Sequence, residues 1–383
     1  MKSDYVTKSY ENDHFILNLN NLQLGDIILE HGYKPHSIAI CKATKSHYSH
    51  AMIYAGHTII EATSHGRVYS RIPNRIFVHN QNDIKVLRLR EKTPDTILEK
   101  IVTEAKLLTG TKYSLKEAIL VLNSTEKQNL NLTRKQFCSR LVAQCYSSAG
   151  IDIVKNNSYC SPQDINLSNK LHSIPNVVRL ASIDEINFLH SNSSHTHHVD
   201  VAAKFVELSI KALAFRGITT VFIENVNVKI ESINEIYFAV MENKYNSSLD
   251  NEIALIMENT GYMDGPFDDE KSNPYRYSEL MFHEKYDKFS EDENEFYLSQ
   301  ELNKEISCLK HRIDNYNASL YNRQSKLKTF ENVFIINKNM LETMYKRVCV
   351  IYDYCLNNIH TPFMVKYMCS SKKIMDIIEN TLK

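Results

Sequence analysis

No stretch of this 383-residue chain carries enough consecutive apolar residues to cross a bilayer, which argues against a helical membrane span. Neither charge is in excess: 45 basic residues stand against 45 acidic ones. That balance removes the electrostatic case for nucleic acid or an anionic membrane surface as the main partner. The opening residues, MKSDYVTKSYENDHF, lack the basic-then-apolar pattern of a secretory signal. The expectation is a cytoplasmic protein, with export of a secreted effector by a machine that needs no signal peptide left open. The eight cysteines include no CxxC pair and no tight spacing, so reduced thiols are expected in place of a disulfide framework. There is no internal repeat. Cys41 and Cys160 stand at no familiar ligand spacing from His47 or His65, and neither a metal nor a cofactor is expected.

The length favours two domains. From Leu24 to about Leu180, short β-type runs (GDIIL, AMIYA, TIIEAT, RVYSRI, IKVLRL, NVVRLA) alternate with helical patterns such as PDTILEKIVTEAKLL. This half reads as α+β. Near residue 190 the pattern gives way to HSNSSHTHHVD, which has the composition of a linker. Its His190, His195, His197 and His198 have no cysteine or paired carboxylate at ligand spacing, so they read as solvated. The expected domains are residues 1–190 and 200–383. Beyond Val201 helical periods lengthen, notably over Glu293 to Phe330 and Asn332 to Asn358. Leu302, Ile306, Leu309, Ile313 and Tyr316 recur at threes and fours, the stripe of a helical hairpin or short coiled coil. Such a stripe either packs within the chain or forms an arm for a partner.

Two stretches carry chemistry. In RKQFCSRLVAQCYSSAGID, Leu141, Val142, Cys145, Tyr146 and Ala149 share a helical face and Gly150 suits a C-terminal stop. Cys138 falls near the helix start, where unpaired backbone N–H groups and the positive end of the dipole favour a thiolate. Cys145, two turns further in, reads as core. A thiolate nucleophile needs a base, and the base needs an orienting group. If AMIYA and TIIEAT pair across a Gly56–His57 turn, Tyr54 faces Ile59, Met52 faces Glu61 and His50 faces Thr63. His50, Thr63 and Glu61 then share one side of the sheet. Diagonal neighbours such as His50 and Glu61 stand about 7–8 Å apart at the backbone, within reach of a side-chain hydrogen bond. A register slipped by one residue would leave Thr63 or a water to orient His50.

The blocks LQLGDIIL, SHAMIYAG, IIEAT, GTKYSL, QFCSRLVAQCY and SPQDI resemble, in this order, the circularly permuted papain-like hydrolases. These are the NlpC-type superfamily members grouped with YiiX and related to the lecithin:retinol acyltransferases. The likeness covers roughly residues 22–182. It implies a permuted papain-like domain with a small antiparallel sheet and a nucleophile helix, followed here by a mainly α-helical C-terminal domain. It further implies that Cys138 attacks a carbonyl carbon, that His50 transfers protons, that Glu61 orients His50, and that the Cys138 backbone N–H serves an oxyanion hole. Tyr113, Thr63 and Asp26 are the expected substrate-side residues. Tyr113 reads equally as packing, and Asp26, at the GD strand entry, as a hydrogen-bonded brace. Asp164 of SPQD reads as a cap.

The reaction expected is cleavage of an amide or ester through an acyl-enzyme, on a small-molecule, peptide or acyl-lipid substrate. Resolution of the same intermediate by an amine or alcohol would make an acyltransferase. The reading from a different class is a binding or scaffold protein that engages a protein partner through its helical half.

Overall fold

Runs such as IIL and AMI place an apolar side chain on both sides of a strand, so their sheet must be covered on both faces. The computed structural model describes residues 14–56, 58–62, 67–71, 73, 76–111, 136–183, 185–187, 194–223 and 226–383. The chain divides into two compact units, 1–192 and 193–383.

In the first unit the described strands are β1 (Phe15–Leu17), β2 (Ile27–Glu30), β3 (His50–Tyr54), β4 (Ile59–Ala62), β5 (Val68–Arg71), β6 (Phe77–Val78), β7 (Ile84–Leu89), β8 (Leu171–Ser173) and β9 (Val178–Leu180). They form a six-stranded sheet ordered β5-β4-β3-β2-β7-β8 and a small one ordered β6-β1-β9. Every described pairing is antiparallel. After a first helix α1 (Pro35–Thr44) come α2 (Asp95–Leu107) and α3 (Cys138–Ser148), and Ile27, Leu29, Ala51, Ile53, Ile60 and Ala62 pack on one face against α2 and α3. The alternate residues Ile28, Met52, Tyr54, Ile59 and Val86 pack on the other with Leu17 and Val78 of the small sheet. Each large side chain withdrawn from water this way contributes about 1.5–3 kcal/mol.

The β3–β4 hairpin has the expected register, Tyr54 opposite Ile59 and Ile53 opposite Ile60. Its turn places Gly56 at φ 89°, a conformation that glycine adopts without strain. Helix α3 ends as its sequence suggests, with Gly150 in the left-handed region at φ 86°. Asp164 completes a capping box with Ser161 at the head of Pro162–Asn166.

The second unit is mainly helical. Its described elements include helices Ser194–Phe215, Ile233–Glu242, Ser247–Asn259, Glu291–Arg323, Lys328–Asn357 and Pro362–Leu382, and a hairpin of Thr220–Ile223 with Val226–Lys229. The Ser/His stretch is not a linker throughout. Residues 194–200 form the first turns of Ser194–Phe215, a helix anchored further along by Phe205, Val206 and Leu213. Composition misled there because the polar turns precede the apolar face they extend. The long helices also differ from expectation in detail: the first ends at Arg323, before a turn with Lys326 at φ 61°. Leu302 and Tyr316 of the apolar stripe are buried and Leu309 and Ile313 partly so, whereas Ile306 is exposed. Within this unit the Asp250 carboxylate accepts the Lys328 and Thr329 N–H groups at 2.8 and 2.9 Å, capping the helix that begins there. Among the described residues no helix is long and apolar enough to cross a membrane.

Candidate active site

The hairpin sets the first two groups. His50 begins β3 and Glu61 lies in β4. The observed register puts them diagonally on one face, and the side chains close the gap with a 2.7 Å bond from His50 Nε2 to Glu61 Oε2. A carboxylate only accepts in this bond, so Nε2 carries the proton and Nδ1 is left for another partner. Glu61 is 1% exposed, and the Arg71 guanidinium stands 3.7 Å from its second oxygen. Arg71 also lies 3.5 Å from Glu30, the residue opposite His50 on β2. Sequence reading missed Arg71. The signal was the alternation in RVYSRI, which carries Arg71 to the strand position opposite Ile59.

Cys138 arrives from the helix side. As the first residue of α3 it has its N–H outside the helical ladder, whose first bond runs from Leu141 N–H to the Phe137 carbonyl. Its sulfur lies 4.0 Å from the Ser49 carbonyl oxygen, just ahead of β3. Among the described residues the β3–β4 pairing runs over Tyr54–Ile59 and Ile53–Ile60, and the Ala51 N–H hydrogen-bonds the Cys138 sulfur. Burial alone would raise the Cys138 pKa. Hydrogen bonding and charge from His50, with the N–H groups of Ala51 and Ser139, outweigh burial and bring it below the usual thiol value. Burial likewise works against the His50 cation, and Cys138 and Glu61 overcome it to hold His50 well above the usual imidazole value. The opposed shifts favour a thiolate beside an imidazolium.

The other cysteines of this unit are different. Cys145 is fully buried in the core under the sheet, which pushes its thiol up. The Cys160 thiol is likewise raised by burial and donates to the Ser139 carbonyl, while the Ser139 hydroxyl donates to the Cys160 carbonyl at 2.6 Å.

Of the expected substrate-side residues, Tyr113 and Thr63 lie outside the described residues, as does His65. Asp26 is not placed to meet a substrate. It is 1% exposed, both oxygens are held by Arg88 at 2.7 Å, and one also accepts the Gln23 N–H. Its carbonyl receives the Tyr54 N–H, four residues along β3 from His50 and so about 13 Å away at ~3.3 Å per residue. Asp26 braces the start of β2, because a buried carboxylate is stable there only with its cation. His47 is half exposed and bonded to Asp83 at 2.7 Å.

Residues 21–170 match the family described as permuted papain-like amidase enzymes, YaeF/YiiX, C92. Among solved structures, one described as the crystal structure of metalloprotein yiiX from Escherichia coli O157:H7 is similar at 21% identity and a TM-score of 0.33. That likeness covers 40% of this chain and 97% of that one. No curated protein matches the chain. Over residues 21–170, under half of its length, the chain is therefore similar to the YaeF/YiiX family of permuted papain-like amidases.

Proposed function

We propose that this domain is a cysteine amidase in which Cys138 is the nucleophile, His50 the proton carrier and Glu61 the group that orients His50. The observation that carries the reading is the opposed pair of shifts at Cys138 and His50, anchored by the 2.7 Å bond between His50 and Glu61. The thiolate attacks the amide carbon, and the Cys138 backbone N–H, free of the helix ladder, faces the developing oxyanion. The His50 imidazolium gives its proton to the leaving amine, which departs and leaves a thioester on Cys138. Water then attacks the thioester, His50 takes its proton, and the carboxylic acid leaves with the thiolate restored.

The direct test is alkylation of the full chain by an iodoacetamide-type thiol reagent across pH. Because the Cys138 pKa is lowered, its labelling is expected to be fast already at neutral pH and to fall only as pH drops through that lowered value. Cys41, Cys145, Cys160, Cys308, Cys349 and Cys355, whose thiols burial pushes up, should react only above the ordinary thiol range. Cys138 labelling that tracks an ordinary thiol would overturn the reading. For amide turnover, the raised His50 value keeps the general acid protonated to higher pH, so the alkaline limb also lies above the usual imidazole range.

Glu61→Gln keeps an acceptor for Nε2 but loses the charge. The His50 pKa should then fall and that of Cys138 rise, narrowing the activity window from both sides. kcat/KM is expected to drop by roughly 10–100-fold, the worth of a charge-assisted hydrogen bond. Parent-like activity across neutral pH would remove Glu61 from the role.

A further inference from the structure

Three segments remote in sequence meet beside the end of β3: His31 just after β2, His47 ahead of β3, and Asp83 just before β7. The sheet gathers them, since Glu30 stands opposite both His50 and Ile84. The His31 N–H bonds the Asp83 carbonyl at 2.8 Å. One ring nitrogen of each histidine and one oxygen of Asp83 lie within 4.8 Å of one another. The two imidazoles are nearly parallel, 21° apart, with centroids at 4.7 Å.

The surrounding bonds prepare the donors. His31 Nδ1 lies 2.6 Å from the His47 backbone carbonyl, which can only accept, so Nδ1 holds the proton and Nε2 the lone pair. Asp83 Oδ2 accepts the Tyr33 hydroxyl at 2.5 Å, leaving Oδ1 facing His47 Nε2 at 2.7 Å. Asp83 is 6% exposed, and among the described residues no lysine or arginine pairs with it. A buried carboxylate with two imidazoles beside it is a donor set that suits a divalent cation better than solvent.

We propose that His31 Nε2, His47 Nε2 and Asp83 Oδ1 bind a divalent transition-metal ion of the zinc class. Ligand distances of about 2.0–2.1 Å place the donors of a tetrahedral site roughly 3.4 Å apart, so binding widens the 2.7 Å His47–Asp83 contact while holding all three donors inside the 4.8 Å they now span. The half-exposed His47 side chain has room to make that move. Binding puts the ion where the proton between His47 Nε2 and Asp83 Oδ1 sat, and the coordinated neutral ring carries its one proton on Nδ1. The ion clips the Ser46–Ser49 loop to the ends of β2 and β7. That loop carries the Ser49 carbonyl that faces the Cys138 sulfur, and the Ser49 hydroxyl receives the Gly32 N–H at 2.9 Å. None of Cys138, His50 and Glu61 supplies a ligand, so the site stands whether or not they perform the proposed reaction.

The test is titration of the chelator-treated full chain with Zn²⁺ alone, by calorimetry, and with Co²⁺ alone, by its visible absorption. The parent is expected to bind one equivalent at this site with micromolar or tighter affinity. His47→Ala and Asp83→Asn should weaken that equivalent by roughly 100-fold or more, and Tyr33→Phe, which frees the carboxylate, by about 10–100-fold. Cys138→Ala should bind as the parent does. Melting in chelator checks folding, and if Asp83→Asn unfolds, the exposed His47→Ala decides. No binding by the parent would overturn the proposal. So would parent-like affinity and stoichiometry in His47→Ala, which would place the ion elsewhere, for example on the histidines between His190 and His198.

Discussion

Cys138→Ala is expected to abolish amide turnover and formation of a covalent intermediate while changing stability by less than about 1 kcal/mol. The sulfur sits at the helix start against the Ser49 carbonyl and makes no part of the apolar core under the sheet. Removing it deletes the proposed nucleophile and leaves the packing of α3 in place. Cys145→Ser should do the reverse. A hydroxyl introduced into a fully buried position costs about 1–3 kcal/mol where it finds no partner, with turnover per folded molecule retained. Single-turnover mass spectrometry and thermal melts of both variants check this. An acyl adduct on Cys138→Ala would remove Cys138 from the role. The adjacent Ser139 is a poor substitute, because its hydroxyl is committed to the Cys160 carbonyl.

His50→Ala should lower kcat/KM by about 10²–10⁴-fold, more than Glu61→Gln, because two effects combine. The proposed proton carrier is lost, and so is the cation that offsets burial of the thiol. With desolvation left as the main influence, the Cys138 pKa climbs above the ordinary thiol value. The acid limb of alkylation should therefore move to alkaline pH in step with the loss of turnover. Unchanged labelling at neutral pH in His50→Ala would show that the helix start alone activates the thiol.

The hairpin was readable in advance because its cues are local. Alternation fixes which residues share a face, Gly56 fixes the turn, and together they determine that Glu61 can reach His50. The start of α3 at Cys138 and its stop at Gly150 were readable for the same reason. The cluster of His31, His47 and Asp83 was not, since it depends on which strands become neighbours. His47 and Asp83 are 36 residues apart, and only the placement of β2 between β3 and β7 brings them together. Asp26 was readable as a hydrogen-bonded brace from its place at the strand entry, but its partner Arg88, 62 residues away, was not. Residues 194–200 show the opposite failure: local composition suggested a linker, and the apolar face further along Ser194–Phe215 decided for helix.

The order of these groups along the chain has a consequence for how reactivity is acquired. His50 and Glu61 are 11 residues apart and can meet as soon as their hairpin forms, whereas the sulfur meets the Ser49 carbonyl across 89 residues. Local contacts form before distant ones, because long loops must close first. In a nascent or refolding chain the imidazole and its carboxylate are therefore paired while Cys138 remains an ordinary, weakly nucleophilic thiol. In the role proposed for it, the sulfur becomes reactive only when α3 docks under the sheet, so the step that makes it reactive is also the step that encloses it, and the unfinished chain is spared an exposed thiolate open to oxidation.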